Sequence, residues 1–328
     1  MSILLAGDIG GTKSRLAIFP AGGNIRAPLA EEVLPSDRFS GIDALLREFL
    51  KRSGVSADRA CLALAGPVID GRAAVTNLPW IADAEAIQRT FSLRSVRLLN
   101  DVAATARAVP LLEPKEIHTL YPGEPAAAGA VAVIALGTGL GEAFLTWDGV
   151  RYREHASEGG HADFATGNPM EMDLLRELRK GDDHVSCETV CSGPGLGRLY
   201  RFLRERGAAK EPPWLADRMA EAADPAPVIV EAALMQKDDL CSQALRLFVS
   251  ILGAEAGNLA LKTLAAGGVY LGGGIAPRII PFLEGSAFLD AFRRKGRMAD
   301  LLSRIPVHVI IEPRAALIGT ADYGMTEE

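Results

Sequence analysis

Residues 3–18, ILLAGDIGGTKSRLAI, constrain this chain more than any other stretch. Two short apolar runs, Ile3–Ala6 and Leu16–Ile18, flank a turn containing Gly10, Gly11 and Thr12, and Asp8 sits just before that turn. The pattern predicts two strands joined by a tight turn. Glycines let the backbone turn sharply and approach a ligand closely, and amide N–H groups exposed in such a turn form a nest for an anion. Thr12 adds a hydroxyl donor, and Asp8 can hold a hydrated metal ion. Gly7, Asp8, Ile9, Gly10, Gly11 and Thr12 therefore supply the parts of a strand–loop–strand phosphate site. An ordinary hairpin with a Gly-Gly turn fits the same residues.

Two familiar nucleotide motifs are excluded here. Gly7 to Ser14, GDIGGTKS, nearly spells G-x-x-x-x-G-K-[ST], but Thr12 stands where the second glycine belongs. A P-loop also needs a helix directly afterwards, so that the helix N-terminus faces the phosphates. Arg15 to Phe19 reads as a strand. The dinucleotide fingerprint fails for the same reason, since no G-x-G-x-x-G opens a helix at this point.

The chain has 328 residues, enough for about two domains with substantial cores. A net charge of −6 argues against a broad nucleic-acid surface. The one dense basic cluster, Arg293, Arg294, Lys295 and Arg297, reads as a solvated helix end. Four cysteines, Cys61, Cys187, Cys191 and Cys241, are too few for a disulfide scaffold in so long a chain. There is no leader pattern, and no apolar run approaches the ~18 residues that span a bilayer. The expectation is a cytoplasmic protein without membrane or nucleic-acid partners.

Strand-like and helix-like segments alternate. Cys61–Ala65 and Val96–Leu99 read as buried strands, and Ile42–Lys51 and Asp83–Phe91 as helices, which together predict a parallel α/β sheet. A second set of strands starts at Ala130 and continues through Glu142–Trp147. Asp239 is the expected N-cap of a long helix reaching Leu264, because Leu240, Ala244, Leu247, Phe248 and Ile251 recur at helical spacing. Val269–Leu271 reads as a strand ending in Gly272–Gly274, and Val307–Ile311 as a strand leading into a helix after Pro313. Segment 113–129, rich in proline, glycine and alanine, is a candidate domain junction. The expected division is a small α/β domain of residues 1–110, completed by 305–328, and a large α/β domain of residues 111–304. Leu136–Gly141, LGTGLG, repeats the pattern of the first hairpin, as two similar domains each offering one phosphate hairpin would.

Polar groups elsewhere suggest chemistry. Asn100 and Asp101 directly follow a buried strand, and open α/β sheets bind ligands outside the carboxyl ends of their strands. Asp101 is placed to act as a base and Asn100 as its hydrogen-bonding partner; equally, one of them caps the helix that starts near Val102. Glu158, Gly159, Gly160 and His161 put a carboxylate and an imidazole around two glycines, suited to several hydroxyls of a polyol or to a solvated turn. His184, Cys187 and Cys191 match no common zinc spacing. Glu188, between those cysteines, carries no signal alone. Gly193, Gly195 and Gly197 follow a poor strand. Gly272–Gly274 are better placed, joining a strand to a helix near Pro277.

In order and spacing, GDIGGT at 7–12, LAGPV at 64–68, LLND at 98–101, LGTGLG at 136–141, SEGGHADF at 157–164 and LGGGIAP at 271–277 resemble the bacterial-type glucokinases of the hexokinase–actin-like ATPase superfamily. The resemblance spans nearly the whole chain. It implies a two-domain actin-like ATPase (ribonuclease H-like) fold with a central cleft that closes over glucose, a homodimer, and ATP-dependent phosphorylation of glucose at O6, with a place in glycolysis. It implies Asp101 as catalytic base, and Asn100, Glu158, His161 and Glu188 as sugar ligands. Gly7–Thr12 and Gly137, Thr138 and Gly139 become phosphate hairpins, Gly273 and Gly274 border the adenosine, and Asp8 holds Mg2+ through water. The related ROK kinases usually carry a C-x-C-G-x-x-G-C-x-E zinc motif, which Cys187 and Cys191 do not match. A kinase of another hexose or amino sugar, and a non-catalytic sugar sensor on the same fold, are the rival readings.

Overall fold

The computed structural model describes residues 2–326. In chain order the strands are β1 (Ile3–Ile9), β2 (Lys13–Pro20), β3 (Ala30–Pro35), β4 (Arg59–Leu64), β5 (Arg72–Ala74), β6 (Ile81–Asp83), β7 (Ser95–Asn100), β8 (Ile117–Tyr121), β9 (Val131–Leu136), β10 (Leu140–Trp147), β11 (Tyr152–Ser157), β12 (Gly268–Gly272) and β13 (Val307–Ile310). The helices are α1 (Ile42–Ser53), α2 (Ala84–Phe91), α3 (Asp101–Ala108), α4 (Pro169–Leu178), α5 (Cys187–Val190), α6 (Gly193–Glu205), α7 (Pro213–Glu221), α8 (Ala226–Leu234), α9 (Asp239–Thr263), α10 (Ile280–Leu283), α11 (Ser286–Arg293), α12 (Ala299–Leu302) and α13 (Ala315–Met325).

Two large sheets form. One runs β3-β2-β1-β4-β7, the other β11-β10-β9-β12-β13-β8, and β5 and β6 make a small ribbon. In the first sheet β1 pairs antiparallel with β2 and parallel with β4, which continues parallel into β7. In the second, β9, β12 and β13 are parallel. Each sheet is thus a glycine-tipped hairpin extended on one side by parallel strands, which is the repeat read between residues 3–18 and 130–147. The chain groups into two compact units: one takes the residues up to Pro114, Ala143–Ser157 and the segment from Glu312 onward, the other Lys115–Glu142 and Glu158–Ile311.

The first unit follows from the strand period of two. In β1, Leu5 and Ile9 enter a core with Leu45, Leu46 and Phe49 of α1, while Leu4 and Ala6 enter another with Leu317 and Ala321 of α13. Both faces are covered, so the strand is a continuous apolar run rather than an alternating one. The helix that carries Asp101, α3, packs on α13 so closely that a Cβ on Gly319 would collide with the backbone carbonyl of Ala104. Arg107 ties the far end of this pair: its Nη1 donates to Glu154 of β11 at 2.9 Å, Nε to Asp322 at 2.7 Å and Nη2 to Thr326 at 2.8 Å.

In the second unit the long helix is α9, and its N-cap is Asp238, not Asp239: the Asp238 carboxylate accepts from the Cys241 amide at 2.7 Å. Shifted by one residue, Asp239 lies in the first turn, where its charge still complements the helix dipole. Contrary to the reading of the apolar runs, α9 is long and apolar enough to cross a membrane by length and composition. Of its most apolar window, 72% is buried inside the protein, as in a core helix. The basic cluster after α11 is also not wholly solvated: Lys295 reaches inward to the Ala254 carbonyl at 2.8 Å and Asn258 Oδ1 at 2.6 Å.

The α3–α13 contact yields a test. Gly319→Ala is expected to lower unfolding free energy by about 1–3 kcal/mol, because the added methyl must push α3 off α13. Urea unfolding measures it, and an unchanged midpoint would show that the two helices accommodate the methyl.

Candidate active site

In the first unit, the β1–β2 register ends at Ile9 and Ser14, leaving Gly10, Gly11 and Thr12 at the turn. The glycines are required by space: neither has a positive φ, but a Cβ on Gly10 would stand 3.0 Å from the Lys13 carbonyl and one on Gly11 3.0 Å from that of Thr76. Gly7 is also confined, between the Leu16 and Leu62 side chains. The Ile9 side chain belongs to the core, so only its backbone is available to a ligand. Ser36, which the sequence did not single out, pins the turn. Its Oγ donates to the Gly10 carbonyl at 2.7 Å and its amide to the Thr12 carbonyl at 3.0 Å, and Ser14 Oγ lies 2.9 Å away. Two carbonyls that would repel an anion are thereby tied down.

Asp8 lies on β1 beside Arg15 of β2. Burial pushes its pKa from 3.8 up to about 6, against the pull of Arg15 and then Lys13. A carboxylate disfavoured in this way gains from a nearby cation, so the residue fits a hydrated Mg2+. Lys13 itself is exposed.

Asn100 ends β7 and is the N-cap of α3. Its Oδ1 accepts from the amides of Val102 and Ala103 at 2.9 and 3.0 Å, and its Nδ2 donates to the Gly66 carbonyl at 3.2 Å. One Nδ2 hydrogen is left for another acceptor. Asp101 opens the helix, half-buried, its Oδ1 accepting from the Val102 amide at 2.9 Å. The capping and functional readings are thus compatible: Asn100 caps the helix with Oδ1, and Asp101 stands in its first turn, half-buried.

In the second unit three polar groups meet. His161 closes a 3-10 turn that starts after Glu158. Its Nε2 is 3.8 Å from Glu158 Oε2 and its Nδ1 4.0 Å from Glu188 Oε1. Glu188, on α5, is fixed by the Leu140 amide, which donates to its Oε2 at 2.8 Å. That amide opens β10, directly after the Gly137–Thr138–Gly139 turn. A Cβ on Gly139 would collide with Glu188 Oε2, so the loop glycine and the carboxylate require each other. No spacing in the sequence reports the Leu140 contact, because it joins residues far apart in the chain.

The same unit gathers the glycine turns. Thr138 is exposed, and the Gly193 amide at the start of α6 donates to the Gly137 carbonyl at 2.9 Å. Gly193 and Gly195 begin a helix capped by Ser192, and Gly195 is packed on the Val190 backbone, so this glycine series is structural. Gly273, with φ +80°, abuts the Leu136 backbone, and Gly273 and Gly274 are exposed beside the loop. Of the three residues whose spacing matched no zinc pattern, His184 stands 3.2 Å from Asp163 at the surface, whereas Cys187 and Cys191 are buried.

Asp8 makes a pH prediction. A raised carboxyl pKa contributes stability that is full below the unfolded value and is lost as pH rises through about 6. Asp8→Asn is therefore expected to raise the thermal midpoint at neutral pH, with the gain vanishing below about pH 4. Calorimetry across pH checks this, and a gain independent of pH would contradict it.

Comparison with known proteins then identifies relatives. The family model described as glucokinase matches residues 5–327. A glucokinase of Trichormus variabilis is 40% identical over 336 residues, covering 98% of this chain and 98% of that protein. The crystal structure of a glucokinase from an Antarctic psychrotroph superposes with a TM-score of 0.82 at 32% identity, covering 99% of both chains. At 21% identity, where the likeness shows the fold alone, a glucokinase from Balamuthia mandrillaris in complex with glucose superposes with a TM-score of 0.79, covering 99% of this chain and 93% of that one.

Proposed function

The chain belongs to the glucokinase family, and from that premise we propose that Asp101 is its catalytic base and that Asn100, Glu158, His161 and Glu188 hold the sugar. The reaction is the ATP-dependent phosphorylation of glucose. The observation that carries the assignment of residues is the convergence of Glu158 and Glu188 on the His161 ring, at 3.8 and 4.0 Å, although they come from two segments of sequence. Acceptors gathered in this way suit a polyhydroxyl ligand, and an actin-like filament or chaperone ATPase has no use for them.

Phosphoryl transfer of this kind passes through a loose transition state, so positioning and charge stabilisation dominate. Asp101 orients the 6-hydroxyl of glucose and takes its proton as O6 bonds to the γ-phosphorus and the bond from that phosphorus to the β–γ bridging oxygen breaks, with ADP as leaving group. The carboxylates of Glu158 and Glu188 accept from sugar hydroxyls, and the free Nδ2 hydrogen of Asn100 donates to one. An epimer that leaves such an acceptor unpaired once the sugar covers it loses about 1–3 kcal/mol per group. Backbone amides of Gly10–Thr12 and of Thr138 and Gly139 bind phosphate oxygens, the Gly137 amide being engaged by the Gly139 carbonyl at 3.0 Å, and Gly273 and Gly274 leave room for the adenosine. Mg2+, when bound, would be held by Asp8 through water and would neutralise phosphate charge. The homodimer belongs to this reading through the family resemblance, and four free buried cysteines support a reducing, cytoplasmic location.

Asp101→Asn is expected to lower kcat by roughly 10²–10⁴ while glucose binding, measured by calorimetry, persists. Near wild-type kcat would remove Asp101 from the chemistry. Glu158→Gln is expected to raise the KM for glucose by about tenfold or more and that for ATP much less. Equal effects on both substrates would speak against a direct sugar contact. A panel of hexoses and amino sugars against ATP, ADP and polyphosphate separates glucose kinase from its rivals.

A further inference from the structure

Behind Glu188 lies a buried polar cluster that the proposed reaction does not use. Glu142 on β10 and Glu255 on α9 are 1% and 4% exposed, and the Glu142 carboxyl lies within the field of Glu255. Glu255 Oε2 accepts from the Cys187 thiol at 3.1 Å and from Asn258 Nδ2 at 2.9 Å. Yet Glu142 Oε1 and Glu255 Oε1 are both buried without a donor among the described residues. Lys262 Nζ is 3.7 Å from Glu255 Oε1, too far for a hydrogen bond. The other nearby cation, Lys295, donates to the Ala254 carbonyl and to Asn258 instead.

Two ionised carboxylates at this depth repel each other, and two acceptors without donors add to the cost. One proton held between the two carboxyl groups removes both penalties. The pair is also joined to Glu188 by two routes. Glu142 lies two residues beyond Leu140 on the same strand, and the Leu140 amide fixes Glu188 Oε2 at 2.8 Å. Cys187, bonded to Glu255, is the residue before Glu188 on α5. We infer that Glu142 holds a proton and offers it to Glu255, and that the two act as positioning residues for Glu188, so that loss of this proton weakens glucose binding without touching the nucleotide. The inference rests on the reading of Glu188 as a sugar ligand.

The surroundings agree in sign. Burial, and then the charge of Glu255, push the Glu142 carboxyl well above the usual carboxylate range, with Lys262 opposing. The Cys187 and Cys191 thiols are pushed far up by burial and by Glu255, so they face the pair as neutral groups. Lys295 is lowered by burial, with Glu255 opposing and Arg294 behind it adding to the lowering. The protonated pair carries one negative charge beside Lys262 and Lys295; the deprotonated pair carries two.

The test compares wild type with Glu142→Gln, whose amide donates to Glu255 as the acid does, from about pH 6 to about pH 9. The wild-type KM for glucose is expected to rise by about three- to tenfold with pH while the KM for ATP stays level. Glu142→Gln is expected to keep the low-pH value throughout. Its thermal midpoint should exceed that of wild type at alkaline pH and match it at acid pH, because a raised carboxyl pKa loses its stabilisation as pH rises through it. A wild-type KM without pH dependence, or the same rise in Glu142→Gln, overturns the inference. Infrared spectra supply a second readout: a protonated-carboxyl band of wild type at neutral pH that disappears at alkaline pH and is missing from Glu142→Gln supports the shared proton, and a band that Glu142→Gln retains in full overturns it. Glu188→Gln keeps the two readings apart. If that change leaves the glucose KM unaltered, the sugar assignment and the positioning role both fall, while the unfolding curves still decide the proton.

Discussion

The hydrogen bond from the Leu140 amide to Glu188 is the contact on which the second unit's site depends. It makes the first peptide after a glycine turn the anchor of a carboxylate that converges with His161 and Glu158. The turn must have a glycine at position 139 because the carboxylate occupies the place of its side chain. The glycine turn and the cluster of Glu158, His161 and Glu188 are thereby built as one piece. In the proposed assignment the turn holds phosphate and the cluster holds sugar, so displacing either moves the other, and donor and acceptor keep the close tolerance that phosphoryl transfer needs.

The first unit solves the same problem differently. Its turn is pinned by Ser36 rather than by a carboxylate, and its glycines are demanded by neighbouring carbonyls rather than by a positive φ. Asp101 is placed by α3, whose start is fixed by the Asn100 cap and whose length is clamped on α13 by Gly319 and Arg107. The two acids on this unit differ in setting. Asp8 is destabilised by burial and suits a cation, while Asp101 accepts a backbone amide at the mouth of a helix.

Much of this was legible in the sequence wherever local pattern decides structure. The strand–turn–strand at residues 3–18, its echo at 130–147 and the helix after Asn100 are each fixed by apolar period and turn residues. The α/β class and the alternation of elements follow from the same signals. What the sequence did not report depends on contacts between distant segments. Ser36 is a serine after a proline with no motif around it, and Glu188 acquires meaning only when α5 folds against β10. Lys295 looked like part of a solvated basic run because its partner, Asn258, lies on another helix. The N-cap moved from Asp239 to Asp238 because two adjacent aspartates carry the same local signal, and only the geometry of the first turn selects between them.

The central proposal is transfer of the γ-phosphoryl group of ATP to the 6-hydroxyl of glucose. Phosphorus NMR of the protein with glucose, ATP and Mg2+ tests it most directly. The γ-phosphate resonance is expected to be replaced by a phosphomonoester coupled to the C6 protons of glucose. ATP left intact in the presence of bound glucose, or converted to free phosphate, would contradict it.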